Sequence, residues 1–200
     1  MSSIMSPVVI LTVGEDEIKF HVYEDLLCSL PFFRAALKSG FKETADKKIN
    51  MPEDEPVIIA AVIEYLYVGN YTYAYGRELG TVEKNKTPPP DLKEGSFHLR
   101  VYATAFKYDC QGLVEAAMGS LIYVLQQLDG IAVVQLLKEV YDRSCGAAFW
   151  EAGKDMSAFK KKLPGILKDV YVTNGEDMKD FIYECPSLAN DLLRLSVSGL

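Results

Sequence analysis

Residues 7–23, PVVILTVGEDEIKFHVY, set an unbroken apolar run against an alternating one. Val8 to Val13 has no polar side, which predicts a strand central to its sheet. In the second run Ile18, Phe20 and Val22 alternate with Lys19 and His21, which predicts a strand with one polar face. Gly14, Glu15, Asp16 and Glu17 form the turn between them. His21 falls on the polar side, so it is expected to face solvent rather than serve catalysis.

After this pair the period becomes helical. Asp25 to Leu37 predicts helix in two pieces, because Pro31 fits a first turn but not a helix interior, with Ser29 or Leu30 as its cap. Phe33 and Leu37 then share one face, and Phe32 and Ala36 another, so Phe32, Phe33 and Leu37 are expected at the core or its edge. Gly40 suits the helix stop. KKINM, residues 47–51, is a further short strand. Val57 to Leu66 is apolar on almost every side, which predicts a helix buried on several faces, opened by Pro56 and closed by Gly69. The acidic residues Asp54 and Glu55 stand before its start, where the helix dipole favours them.

From Gly69 to Gly95 the composition changes. Tyr71, Tyr73 and Tyr75 alternate in what reads as a half-exposed extended segment, followed by charges, glycine and a triple proline, so residues 76–95 are expected to be a surface excursion. Ser96 would cap the next helix, FHLRVYATAFKYD. Asp109 and Cys110 mark the joint to a helix over Gln111 to Leu128. Four more amphipathic helical stretches follow, in IAVVQLLKEVYDR, MSAFKKKLPGIL, EDMKDFIYEC and SLANDLLRLSV, broken at Gly146, Pro164, Gly175 and Pro186. Strands and helices thus mix before residue 75 and only helices follow, which makes the fold class α+β.

Composition and charge narrow the function. A net charge of −7, with the acidic excess shared by both halves, disfavours nucleic acid as a partner. The one tight basic run, Lys160 to Lys162, reads as a solvated helix face. Leu113 to Leu128 is interrupted by Glu115, Ser120 and paired glutamines, so no membrane span is expected. The apolar N-terminal run lacks a preceding basic residue and reads as a strand, not a leader. Cys28, Cys110, Cys145 and Cys185 are scattered without a close pair, and His21 and His98 sit near none of them. Reduced, mostly buried thiols and no zinc site are expected, in a soluble chain of the cytoplasm or nucleus. No phosphate-binding glycine loop, zinc-protease helix or nucleophile elbow occurs, so neither catalysis nor a cofactor is expected.

Three segments in order, VVILTVGEDEIKFHVYEDLLCSLPFFRAALKSGFKE, INMPEDEPVIIAAVIEYLYVGNY and VYATAFKYDCQGL, resemble the BTB/POZ domain, with single-domain fungal members the nearest in look. The resemblance covers residues 6–125, and residues 126–200 look like the helical C-terminal extension of those proteins. It implies a small sheet flanked by helices and a non-catalytic protein–protein interaction module. In cullin-binding members a hydrophobic–any–glutamate triplet follows the double-aromatic helix. Here that triplet is Phe41, Lys42 and Glu43, and Tyr67, in YLYVG, would lie on the same surface. The resemblance therefore implies a substrate-receptor or adaptor subunit of a cullin-based ubiquitin ligase, with a cullin and a client protein as partners. The alternative is a self-associating structural or transcription-associated scaffold without a ligase link.

The chain also departs from the family. Pro7 stands before Val8 where an Asp is usual, and Phe20-His21-Val22-Tyr23-Glu24 replaces F-x-V-H-K, so Tyr23 and Glu24 stand where the family has His and Lys. The Asp and the basic residue line a charged pocket at the subunit boundary of BTB dimers, and five residues before Ser6 leave no room for the exchanged N-terminal element. The standard swapped dimer is not expected; a monomer or a weak, concentration-dependent dimer is. Little apolar area in residues 80–86 can offset the entropy of ordering them. Deleting Gly80 to Lys86 is expected to move the melting temperature by less than about 3 °C, a change of under about 1 kcal/mol; a larger loss in a thermal melt would mean that the segment packs.

Overall fold

The computed structural model describes residues 6–38, 45–73, 90–141, 165, 175–184 and 186. Their elements are β1 (Val8–Val13), β2 (Ile18–Tyr23), α1 (Glu24–Leu27), α2 (Pro31–Lys38), β3 (Lys48–Met51), α3 (Pro56–Val68), α4 (Leu92–Lys107), α5 (Gln111–Gln127), α6 (Gly130–Tyr141) and α7 (Gly175–Glu184). A three-stranded mixed sheet followed by helices makes the fold α+β. The chain divides into two compact units: residues up to Thr72 with Thr104–Val114, and Tyr73–Ala103 with residues from Glu115 on.

In the first unit the strand order is β2-β1-β3, with β1 antiparallel to β2 and parallel to β3. The apolar run is thus the central strand, as its pattern predicts. Val9, Leu11 and Val13 are buried together with Val22, Ile49 and Met51, and the register sets Leu11 beside Ile49 and Val13 beside Met51. His21 is exposed on the opposite face. At the hairpin turn Gly14 and Glu17 both adopt positive φ. A Cβ on Gly14 would also press on the Pro56 ring at 3.1 Å, so glycine is required there on two counts.

Helix α2 begins at Pro31, and the Leu30 carbonyl accepts the first helical bond from the Arg34 amide at 3.0 Å. Leu30 therefore caps it, while the Ser29 hydroxyl turns back to the Leu26 carbonyl. Phe33 and Leu37 are fully buried; Phe32 stays at the edge, its ring against those of Phe33 and Tyr108. Helix α3 opens on Pro56 and closes on Gly69 in the left-handed region. Only its first half is enclosed: Ile58, Ile59, Ala61 and Val62 are buried, whereas Tyr67 and Val68 are exposed. No residue of Val57 to Leu66, the stretch expected to be buried, is exposed; exposure begins beyond it, at Tyr67.

Two expectations are corrected. Tyr71 is buried rather than half-exposed, because the Glu64 carboxylate accepts bonds from both the amide and the hydroxyl of Thr72 and holds the segment to α3. Helix α4 starts at Leu92, not after Ser96: the Asp91 carboxylate accepts the Glu94 amide at 2.8 Å, a side-chain cap. Residues 92–95 are therefore its first turn, not the end of the excursion, whose residues 76–89 lie outside the described residues. The predicted joint is observed, with Asp109 at φ 55° and the Cys110 amide donating to the Ala105 carbonyl across the helix end.

Asp54 does more than precede a helix. It is buried, and accepts a hydrogen bond from the Tyr108 hydroxyl at 2.6 Å and two from Lys107 Nζ at 2.9 and 3.0 Å. Tyr108 in turn is fully buried against Phe33, with ring centroids 5.0 Å apart.

The second unit is helical in its described residues. Tyr73 lies on Phe97. Gly95, inside α4, lies where a Cβ would collide with the Leu136 side chain of α6, and Ser96 donates to Glu139 at 2.6 Å. The Asp129 carboxylate caps α6 through the Ala132 amide, and Lys138 pairs with Glu184 of α7 at 3.5 Å. Of the other predicted C-terminal helices, MSAFKKKLPGIL and SLANDLLRLSV fall almost wholly outside the described residues.

Removing Asp54 would strand a buried phenol, whereas removing the half-exposed Lys107 would not. Asp54→Ala is expected to cost about 2–4 kcal/mol and Tyr108→Phe about 1–2 kcal/mol, while Lys107→Ala should cost less than about 1 kcal/mol. Urea unfolding gives the ranking, and equal losses for Asp54→Ala and Lys107→Ala would contradict this account.

Candidate functional site

Tyr67 sits in the last turn of α3, where the helix has left the core and its side chains meet solvent. It is 47% exposed and Val68 67% exposed. The Gly69 cap turns the chain away immediately after, so these side chains project from a helix end. At the end of β2, Tyr23 is also exposed, and its ring meets that of Tyr67 with centroids 6.4 Å apart and a tilt of 54°. Val8, opposite Tyr23 in the register, is exposed as well. The first unit therefore presents two tyrosines and two valines around one corner, a surface with hydroxyls for hydrogen bonding and flat rings for packing.

Of the sequence-predicted site residues only Tyr67 is placed. Phe41, Lys42 and Glu43 lie outside the described residues, so the four are not brought together here. Tyr23 was missed as a partner of Tyr67. Its signal was an aromatic ring at a polar-face position of an alternating strand.

Two buried groups, the Tyr108 phenol and the Cys110 thiol, are held in their neutral forms. Burial pushes the Tyr108 phenol far above its ordinary range, and the hydrogen bond and charge of Asp54 add to the shift. Burial likewise raises the Cys110 thiol, with the Asp109 charge adding and a backbone bond at Leu113 opposing; a raised thiol is a poor nucleophile. Cys28 and Cys110 are free and buried, as expected of reduced thiols; Cys145 and Cys185 lie outside the described residues. In the second unit an open cleft of about 290 Å³ is lined by Leu92, Lys93, Ser96, Arg100 and Glu139. Its charges are of both signs, and Glu139 already accepts the Ser96 hydroxyl.

Among the described residues no group of three or more His, Cys, Asp or Glu is placed to hold a metal ion, and no helix is long and apolar enough to cross a membrane. No family model matches the chain, and no curated protein matches it.

His98 provides a solution test of the second unit. It is buried, and desolvation lowers its pKa to about 4 from an ordinary 6.5. Glu94, 3.6 Å away, would favour the charged form, but burial outweighs it. The unfolded chain thus binds this proton more tightly than the folded one. The contribution of neutral His98 is complete above pH 6.5 and is lost as pH falls toward 4, by about 3 kcal/mol in total. Urea midpoints between pH 7 and 5 should fall in the wild type and fall less steeply in His98→Gln; equal slopes would show that His98 is not the group responsible.

Proposed function

We propose that this chain is a non-catalytic protein–protein interaction module of the BTB/POZ kind, acting in the cytoplasm or nucleus as a substrate-receptor or adaptor subunit of a cullin-based ubiquitin ligase. The observation that carries the reading is the exposed corner of Tyr67 and Tyr23, where α3 leaves the core. An aromatic pair desolvated by a partner is the kind of anchor that dominates interface energies. The element order strand–strand–helix–helix–strand–helix supports the reading, since the BTB/POZ resemblance requires that order. By the same resemblance Phe41, Lys42 and Glu43 extend the surface, with Phe41 as its apolar anchor and Glu43 as a rim charge. A client protein would then be held by another part of the chain.

The test is binding to a cullin N-terminal domain. Phe41→Ala should weaken it by roughly tenfold or more, the usual scale for a truncated aromatic anchor. Tyr67→Ala should also weaken it, with the thermal melt unchanged to within about 1 kcal/mol. Glu43→Ala should do less and depend on salt, because a rim charge acts mainly on encounter. Absence of binding by the unmutated protein at tens of micromolar, about −6 kcal/mol on the affinity scale, would sink the ligase reading and leave the scaffold alternative.

A further inference from the structure

The outer face of the sheet carries charges that the aromatic corner does not use. The register sets His21, Ile10 and Lys48 side by side in one row and Lys19, Thr12 and Asn50 in the next. Opposed residues on neighbouring strands share a face, and here it is the face opposite the buried Val9, Leu11 and Val13. Lys19, His21, Lys48 and Asn50 are exposed, while Ile10 and Thr12 on the central strand are half-buried. Lys47, Lys107 and Lys138 each hold a carboxylate, but Lys19 and Lys48 form no ion pair with a described residue. Neither row contains an acid, in a chain whose net charge is −7. The acids of the hairpin turn, Glu15, Asp16 and Glu17, are gathered at its tip, exposed and likewise unpaired.

We propose that this face is a docking site for a client protein, and that it takes a short acidic segment of that client laid along β1. The inference rests on the interaction-module reading and places the client away from the Tyr67 corner. Lys19 and His21 stand on one edge strand and Lys48 on the other, so they flank Ile10 and Thr12 from both sides. Strands lie about 4.8 Å apart and rows about 7 Å apart, which puts a cation within side-chain reach on either flank of such a segment. Charge complementarity selects carboxylates for it, with an uncharged residue over Ile10. The tip limits its length. Glu17 stands only two residues before Lys19, so further negative charge there is repelled within a Debye length of about 10 Å. A nucleic acid or an anionic membrane carries its charge without interruption and meets that repulsion, whereas a bounded acidic run ends before it. Two rows on three strands cover about 200 Å², against about 800 Å² per partner in a stable complex. The contact is accordingly weak, salt-sensitive and the size of a segment rather than a domain.

The probe is a fluorescein-labelled peptide, Gly-Ser-Glu-Asp-Ile-Asp-Glu-Ser-Gly, titrated with the full chain and followed by anisotropy. In about 0.1 M salt its dissociation constant should fall between about 10 µM and 1 mM, the range that such an area implies. Salt at about 1 M, where screening acts within about 3 Å, should weaken it at least about tenfold. Lys19→Glu with Lys48→Glu should also weaken it at least about tenfold, because each attraction becomes a repulsion, with an unchanged circular dichroism spectrum. Tyr67→Ala should leave it unchanged. In the cullin measurement the two variants should exchange places, Tyr67→Ala weakening the binding and the lysine variant not. No peptide binding at about 1 mM, or equal binding by the lysine variant, overturns the proposal. Equal binding of a peptide with Lys in place of each acid overturns it as well. Tighter, lysine-dependent binding of a DNA duplex or of phosphatidylserine vesicles would assign the face to another class of partner and overturn it. A salt-sensitive rise in the mass of the unmutated chain alone, lost in the lysine variant, would cover the face with a second copy and do the same. Peptide binding without cullin binding supports the docking site and defeats only the ligase reading.

Discussion

One buried carboxylate organises the first unit. Asp54 stands where β3 turns into α3, and its donors, Lys107 and Tyr108, close α4. Taking a carboxylate out of water is unfavourable, and hydrogen bonds from a phenol and an ammonium offset that cost only if the two segments stay together. The geometry therefore makes the strand–helix corner and a helix end more than 50 positions away interdependent. Tyr108 then carries the linkage inward through its ring, against Phe33 of α2. Sheet corner, double-aromatic helix and the end of α4 are in this way held by one polar contact inside an apolar setting.

The parts of the fold readable in advance are those whose signal is local. Val8 to Val13 announces a central strand because no polar residue interrupts it, and Pro56 and Gly69 bracket α3 because each suits one end of a helix for steric reasons. The misreadings share one cause. Gly95 and Ser96 look like a helix boundary in isolation, but Gly95 is small because Leu136 presses on it and Ser96 is polar because Glu139 faces it. Tyr71 looks half-exposed until Glu64 fixes Thr72 beside it. Asp54 looks like a dipole-favoured acid because its donors are remote. In each case a tertiary partner reassigns a residue whose neighbours suggest something else.

The candidate surface divides along the same line. Tyr67 could be placed by resemblance, and its exposure follows from α3 outrunning the core. Its pairing with Tyr23 could not, because the contact joins a strand end to a helix end. The Tyr23 ring, at the end of β2, lies against that of Tyr67.

The mixed pairing of β1 has a kinetic consequence. Its antiparallel neighbour is reached through a four-residue turn, a local closure of the kind that completes in about 1–10 µs. Its parallel neighbour is reached only after α1 and α2, across a loop of roughly 35 residues whose closure entropy precedes any reward in contacts. The hairpin can therefore form while one edge of β1 is still open, and the apolar run Val9, Leu11, Val13 is unguarded on that side until β3 arrives. The slow step of this sheet, and the interval in which it is most exposed to mispairing, belongs to the four residues of β3.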